Sequence, residues 1–129
     1  MRGSNIPIAA LGALILWLGW FGFNGGSQLA VNDAANANAV AQVFLNTNAA
    51  AAGGVIGALL IAKFLTGKAD VTMAINGAIA GLVAITAAPD TPSGGLATII
   101  GFIGGIIVYF SVVFLDTVLK VDDPVGAIS

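Results

Sequence analysis

The sequence predicts an all-α integral membrane protein with four transmembrane helices, and three observations carry that prediction. Of 129 residues, 58% are hydrophobic and only 8% charged, with a mean hydropathy of +1.02; a soluble domain carries about 25% charged residues to cover its surface. The apolar residues fall into four segments separated by short polar breaks, and about 20 apolar residues take a helix across roughly 30 Å of hydrocarbon. A bilayer admits only helices and closed barrels, because nothing else satisfies its own backbone, and these segments are too long and too uniformly apolar for barrel strands.

The first span, about residues 6–23, holds no charge. Arg2 followed by an apolar run also fits a cleaved signal peptide, but the run is long, contains Trp17 and Trp20, and has only a poor small-residue site near Ala30. The second span belongs to the stretch from Asp33 to Leu65. As one helix that stretch is about 50 Å long, so its membrane part is expected at 43–65, with the excess tilted or protruding. The third span, 71–88, is closed by the breakers Pro89, Asp90, Thr91, Pro92, Ser93 and Gly94. The fourth covers 96–118. In the remaining residues, 119–129, Asp123 before Pro124 reads as an N-cap followed by the residue best suited to a first helical position. Asp123 is thus expected to be a structural cap starting a truncated further helix; the alternative is a capped cytoplasmic tail.

Four crossings put Arg2, Lys63, Lys68 and Lys120 on one side and Asp33 and Asp90 on the other. The positive-inside rule makes the first side cytoplasmic, with both termini there, as expected for a multi-pass protein of the plasma (inner) membrane. A formal charge of -2 offers no basic face for nucleic acid. Cysteine and histidine are absent, which removes disulfides, thiolates, imidazole metal sites and histidine acid–base catalysis. All six acids lie at span ends or loops, so neither an enzyme nor a resident metal or cofactor is expected.

Small residues recur at four-residue spacing: Gly22 and Gly26, Gly53 and Gly57, Gly77 and Gly81, Gly101 and Gly105. Such pairs let membrane helices approach closely. Asn38, Gln42 and Asn46 share one face of the second span, with Thr47 and Asn48 beside them, and Asn76 lies in the third. Buried amides need partners, so this stripe is either interhelical glue or the wall of a wet path. In GWFGFNGGS, residues 19–27, Trp20 and Phe23 share a helix face. Their rings suit an interfacial aromatic belt, or a site where ring faces receive a cation. Asn24, Gly25, Gly26 and Ser27 would then break the helix and add carbonyls and a hydroxyl. A small oligomeric membrane packing or assembly protein without transport activity would also explain the glycines and amides.

GWFGFNGGS, FLNTNAAAA (44–52), INGAIAGLVAITA (75–87) and KVDDPVGAIS (120–129) together resemble, in order and spacing, the Amt/Mep/Rh ammonium transporters, bacterial Amt type. The resemblance covers about residues 5–129 and implies that the four spans correspond to the sixth to ninth of eleven helices, a fragment of the second inverted half. It implies ammonium or ammonia, or methylammonium, as substrate. It implies that Phe23 helps form the gate above the pore, that the Ser27 hydroxyl helps recruit ammonium, that Trp20 binds substrate or supports the pore lining, and that Asp123 is the cap. A homotrimeric parent and docking of a PII-type signal protein come with the same resemblance. The family's paired pore histidines have no counterpart here, and one half cannot enclose a pore, so the chain is expected to need the missing half of the transporter for conduction.

Overall fold

The computed structural model describes residues 5–121 and residue 128, so Asp123 and the helix start expected around it lie outside the described residues. Among the described residues four helices run in order: α1 (Ile6–Gly26), α2 (Ala34–Thr66), α3 (Val71–Ile85) and α4 (Gly94–Phe114), the last continuing into a π-helical turn, Leu115–Leu119. Each begins on a side chain suited to cap it. Asn5 accepts the Ile8 N–H at 3.0 Å, Asp33 that of Asn36 at 2.8 Å, Asp70 that of Thr72 at 2.7 Å, and Ser93 that of Leu96 at 3.4 Å. Helix α2 closes at Gly67, whose φ of 75° is left-handed and whose N–H reaches the Lys63 carbonyl at 2.9 Å.

With 33 residues, α2 is about 50 Å long. It starts at Ala34, nine residues before the expected membrane part, and so carries the polar stretch 34–42 as helix. Helices α1, α2 and α4 with its π turn are long and apolar enough to cross a bilayer. Helix α3 is shorter than expected: 15 residues ending at Ile85, about 22 Å. The reason is local. Pro89 has no N–H and disfavours helix in the residue before it, while the Thr86 and Ala88 N–H groups turn back onto the carbonyls of Val83 and Ile85 at 3.1 and 3.3 Å. Residues 86–92 therefore return to α4 as irregular chain.

Helix α2 lies between α3 and α4 at backbone distance. A Cβ on Gly54 would overlap the Gly77 carbonyl oxygen; on Gly81 or Gly101, that of Ala50; on Gly105, that of Gly54; on Gly53, that of Thr98; on Gly57, that of Phe102. Three of the four glycine pairs thus sit in helix interfaces, where small residues supply packing that the hydrophobic effect cannot supply between helices in lipid. Ala50, Ile85 and Ala97 are buried together beside them. The pair on α1 behaves differently. Cβ atoms on Gly22 and Gly26 would meet nothing within 4 Å, so α1 joins the bundle by other means, and its apolar residues Leu11, Leu14, Ile15 and Leu18 remain exposed.

Gly101→Ala should push α4 off α2 and lower the thermal unfolding midpoint of the detergent-solubilised chain, at a cost of about 1–3 kcal/mol typical of overpacking. Gly22→Ala should leave the midpoint unchanged or slightly raised. Circular dichroism melts of both variants check this.

Candidate functional site

The end of the bundle that gathers the C-terminus of α1, the first part of α2, the end of α3 and the start of α4 holds Trp20, Phe23 and Phe44 with the amides of Asn24, Gln42 and Asn46. Trp20 is half-buried, and its Nε1–H donates to Thr86 Oγ1 at 2.8 Å, linking α1 to the end of α3. Thr86 spends its own hydrogen on the Leu82 carbonyl at 2.7 Å, so its hydroxyl is an acceptor for the indole. The Trp20 and Phe23 ring centroids lie 5.9 Å apart at 57°, a tilted pair. Phe23 is 63% exposed. Ser27 is exposed, and its Oγ donates to the Phe23 carbonyl at 2.9 Å. With its hydrogen committed there, the Ser27 oxygen offers lone pairs to an incoming N–H donor.

Trp20, Phe23 and Ser27 are therefore together on the last two turns of α1. Asn24, Gly25 and Gly26 do not break the helix as the sequence led one to expect. They remain helical, and Ser27 is the cap. The physical reason lies in their contacts with α2. The Asn24 side chain is 1% exposed and donates to Thr47 Oγ1 at 3.0 Å, while Gly25 abuts the Phe44 ring so closely that a Cβ would overlap it. Phe21 meets Phe44 edge-on at 5.3 Å. Asn24 Oδ1 is buried with no partner among the described residues.

The chain leaving Ser27 is also tied down. Gln28 donates to Asn36 Oδ1 at 2.9 Å, and Asn36 donates its side-chain amide to Asp33 at 2.8 Å. The Asn36 backbone N–H and, next, its side-chain amide hold the Asp33 carboxyl below the usual carboxylate range. The support Asp33 lends to the start of α2 is therefore complete above the ordinary carboxylate pKa and is lost as pH falls through the lowered value.

The amide stripe on α2 divides. Asn46 is fully buried, and its Nδ2 donates to the carbonyls of both Pro89 (2.9 Å) and Pro92 (2.7 Å). Gln42 donates to Asn46 Oδ1 at 3.1 Å and to the Pro92 carbonyl at 3.3 Å. Both act as interhelical glue, meeting carbonyls of the irregular chain between α3 and α4 that would otherwise be buried unpaired. Asn38 and Asn48 are exposed, outside that network. Asn76 is buried where α3 meets α2 and α4. Among the described residues, no group of three or more His, Cys, Asp or Glu could hold a metal ion.

Sequence reasoning missed Thr86, which lies between Ile85 and Ala87 inside the stretch INGAIAGLVAITA but was given no role there, and the Asn24–Thr47 pairing across 23 positions. A lone amide near the end of an apolar helix was the available signal for the second; for the first there was only its place in the stretch 75–87.

Apolar helices capped by polar side chains at their ends define a multi-pass α-helical membrane protein. The model of the Ammonium Transporter Family matches residues 1–129, and the chain belongs to that family, which is one of transport rather than catalysis. Ammonium transporter Amt2 of Archaeoglobus fulgidus is 43% identical over 126 residues, 98% of this chain and 26% of that protein. Among solved structures, a Sensor Amt Protein superimposes with a TM-score of 0.88 at 41% identity, over 97% of this chain and 30% of the other. Mep2 of Saccharomyces cerevisiae gives 0.82 at 32% identity, over 94% and 26%. The chain thus spans about a quarter to a third of the length of the relatives it matches.

Asn46→Leu should strand the Pro89 carbonyl and leave that of Pro92 to Gln42 alone, at about 1–3 kcal/mol for a buried group left unmet. The expected result is a clear drop in the unfolding midpoint and new protease sensitivity at residues 86–92, read by limited proteolysis and mass spectrometry.

Proposed function

We propose that this chain forms part of an ammonium transporter of the plasma membrane, and that Trp20, Phe23 and Ser27 form its ammonium-recruiting mouth on the non-cytoplasmic side. The observation that carries this is the convergence on one end of α1 of the tilted Trp20–Phe23 pair and a serine whose hydrogen is already committed. An ammonium ion leaving water loses hydration, and aromatic faces return about 0.5–2 kcal/mol per contact. The Ser27 oxygen accepts one of its N–H groups. Glycine-tight contact of α2 with α3 and α4 argues against a path between those helices. It favours a path along the side of α1 that carries exposed Phe23, with the opposite wall supplied by the other half of the transporter. Lys63, Lys68 and Lys120 lie toward the opposite end of the bundle, which supports the orientation with both termini cytoplasmic. The relatives' names support ammonium as substrate, and methylammonium is its natural probe. A homotrimer and a PII-type signal protein at the cytoplasmic face are the partners this reading carries.

The test is a chimera in which this chain replaces the matching segment of the Archaeoglobus Amt2 relative, assayed for saturable methylammonium uptake competed by ammonium. Ser27→Ala should raise the half-saturation concentration about tenfold, the scale of one hydrogen bond to a charged group. Phe23→Ala should change the maximal rate. Uptake identical to the unmodified chimera in both variants would overturn the site.

A further inference from the structure

Helix α1 touches the rest of the bundle without glycine-mediated backbone contact on its Gly22–Gly26 face, so the position of its aromatic end depends on a few side chains. One of them is Trp20, half-buried, whose indole N–H donates to Thr86 Oγ1 at 2.8 Å. Thr86 is the first residue past α3. Its hydroxyl hydrogen is taken by the Leu82 carbonyl at 2.7 Å, which fixes the oxygen and aims a lone pair at Trp20 Nε1. The backbone there is pinned as well, by the Thr86 N–H on the Val83 carbonyl at 3.1 Å. The indole held by this anchor is the one whose ring centroid lies 5.9 Å from that of Phe23.

We propose that Thr86 is a positioning residue for the recruiting mouth: through its hydroxyl it sets the plane of the Trp20 ring, and through that ring the placement of Phe23. The role rests on the reading of Trp20, Phe23 and Ser27 as the ammonium site, and extends it to a residue on a different helix, 66 positions away. Thr86 itself does not touch substrate. Substrate meets the ring faces, and Thr86 holds the ring edge. A geometry held this way affects binding of the cation more than the later steps of transport.

Two readouts test this. In the chain itself, labelled with 15N and held in nanodiscs, the Trp20 indole N–H should be protected from exchange with solvent, with Trp17→Phe used to assign it. Thr86→Val keeps the side chain's shape but removes the acceptor, and should increase the indole exchange rate about tenfold or more. Thr86→Ser restores the hydroxyl and should return the rate to within about twofold of the parent. In the Amt2 chimera, Thr86→Val should raise the half-saturation concentration for methylammonium about three- to tenfold while changing the maximal rate less than twofold, and Thr86→Ser should reverse the effect. An indole exchange rate unaltered by Thr86→Val overturns the proposal. So does faster exchange with an unchanged half-saturation concentration. Failure of the site reading gives a different result: Phe23→Ala and Ser27→Ala both matching the unmodified chimera while the indole still responds to Thr86→Val.

Discussion

The side-chain amide of Asn46, donating to the carbonyls of Pro89 and Pro92, is the contact on which the connection between α3 and α4 depends. Helix α3 stops after 15 residues because Pro89 forbids its continuation, and residues 86–92 run as irregular chain at the end of the bundle, with Pro92 turned inward and buried. Such chain persists only if its polar groups are met. Asn46 meets them from the middle of α2, fully buried and supported by Gln42. Thr86, at the start of that chain, is held by α3 as well, through its N–H on Val83 and its hydroxyl on Leu82. Once Thr86 is fixed, Trp20 has its partner, and the ring beside it acquires a definite place.

Two kinds of cohesion divide the molecule. Helices α2, α3 and α4 meet backbone to backbone, through glycines whose Cβ positions coincide with neighbouring carbonyl oxygens. That packing is unforgiving and makes a rigid wall. Helix α1 joins through side chains: Trp20 on Thr86, Asn24 on Thr47, Phe21 on Phe44. Its aliphatic residues Leu14, Ile15 and Leu18 are exposed, leaving an apolar surface for lipid or for other helices of the fold. A substrate path beside α1 would thus have one firm wall and a few adjustable aromatic groups at its mouth.

Much of this was legible in the sequence because it derives from composition and punctuation. The apolar segments and the packing role of Gly53, Gly57, Gly77, Gly81, Gly101 and Gly105 come from local rules. Three things were not legible for physical reasons. Residues 24–26 look like a break but stay helical, because burial of Asn24 against Thr47 and of Gly25 against Phe44 outweighs the low helix propensity of asparagine and glycine. Gly22 and Gly26 share the spacing of the packing glycines but face open space, since spacing shows which residues share a side of a helix and not what lies opposite. Thr86 matters through one long-range hydrogen bond, and a hydroxyl's partner 66 residues away leaves no trace in its own neighbourhood.

The central claim is that α1 and the turn after α3 bring Ser27 and Asp90 to one face of the membrane while the α2–α3 turn lies at the other. The chain has no cysteine of its own, so single cysteines report without background. The most direct measurement is labelling of Ser27→Cys, Asp90→Cys and Lys68→Cys in intact cells with a membrane-impermeant maleimide. The account predicts that the first two are labelled from outside and that Lys68→Cys is labelled only after the membrane is opened. Labelling of Lys68→Cys from outside, or of Ser27→Cys and Asp90→Cys from opposite faces, would contradict it.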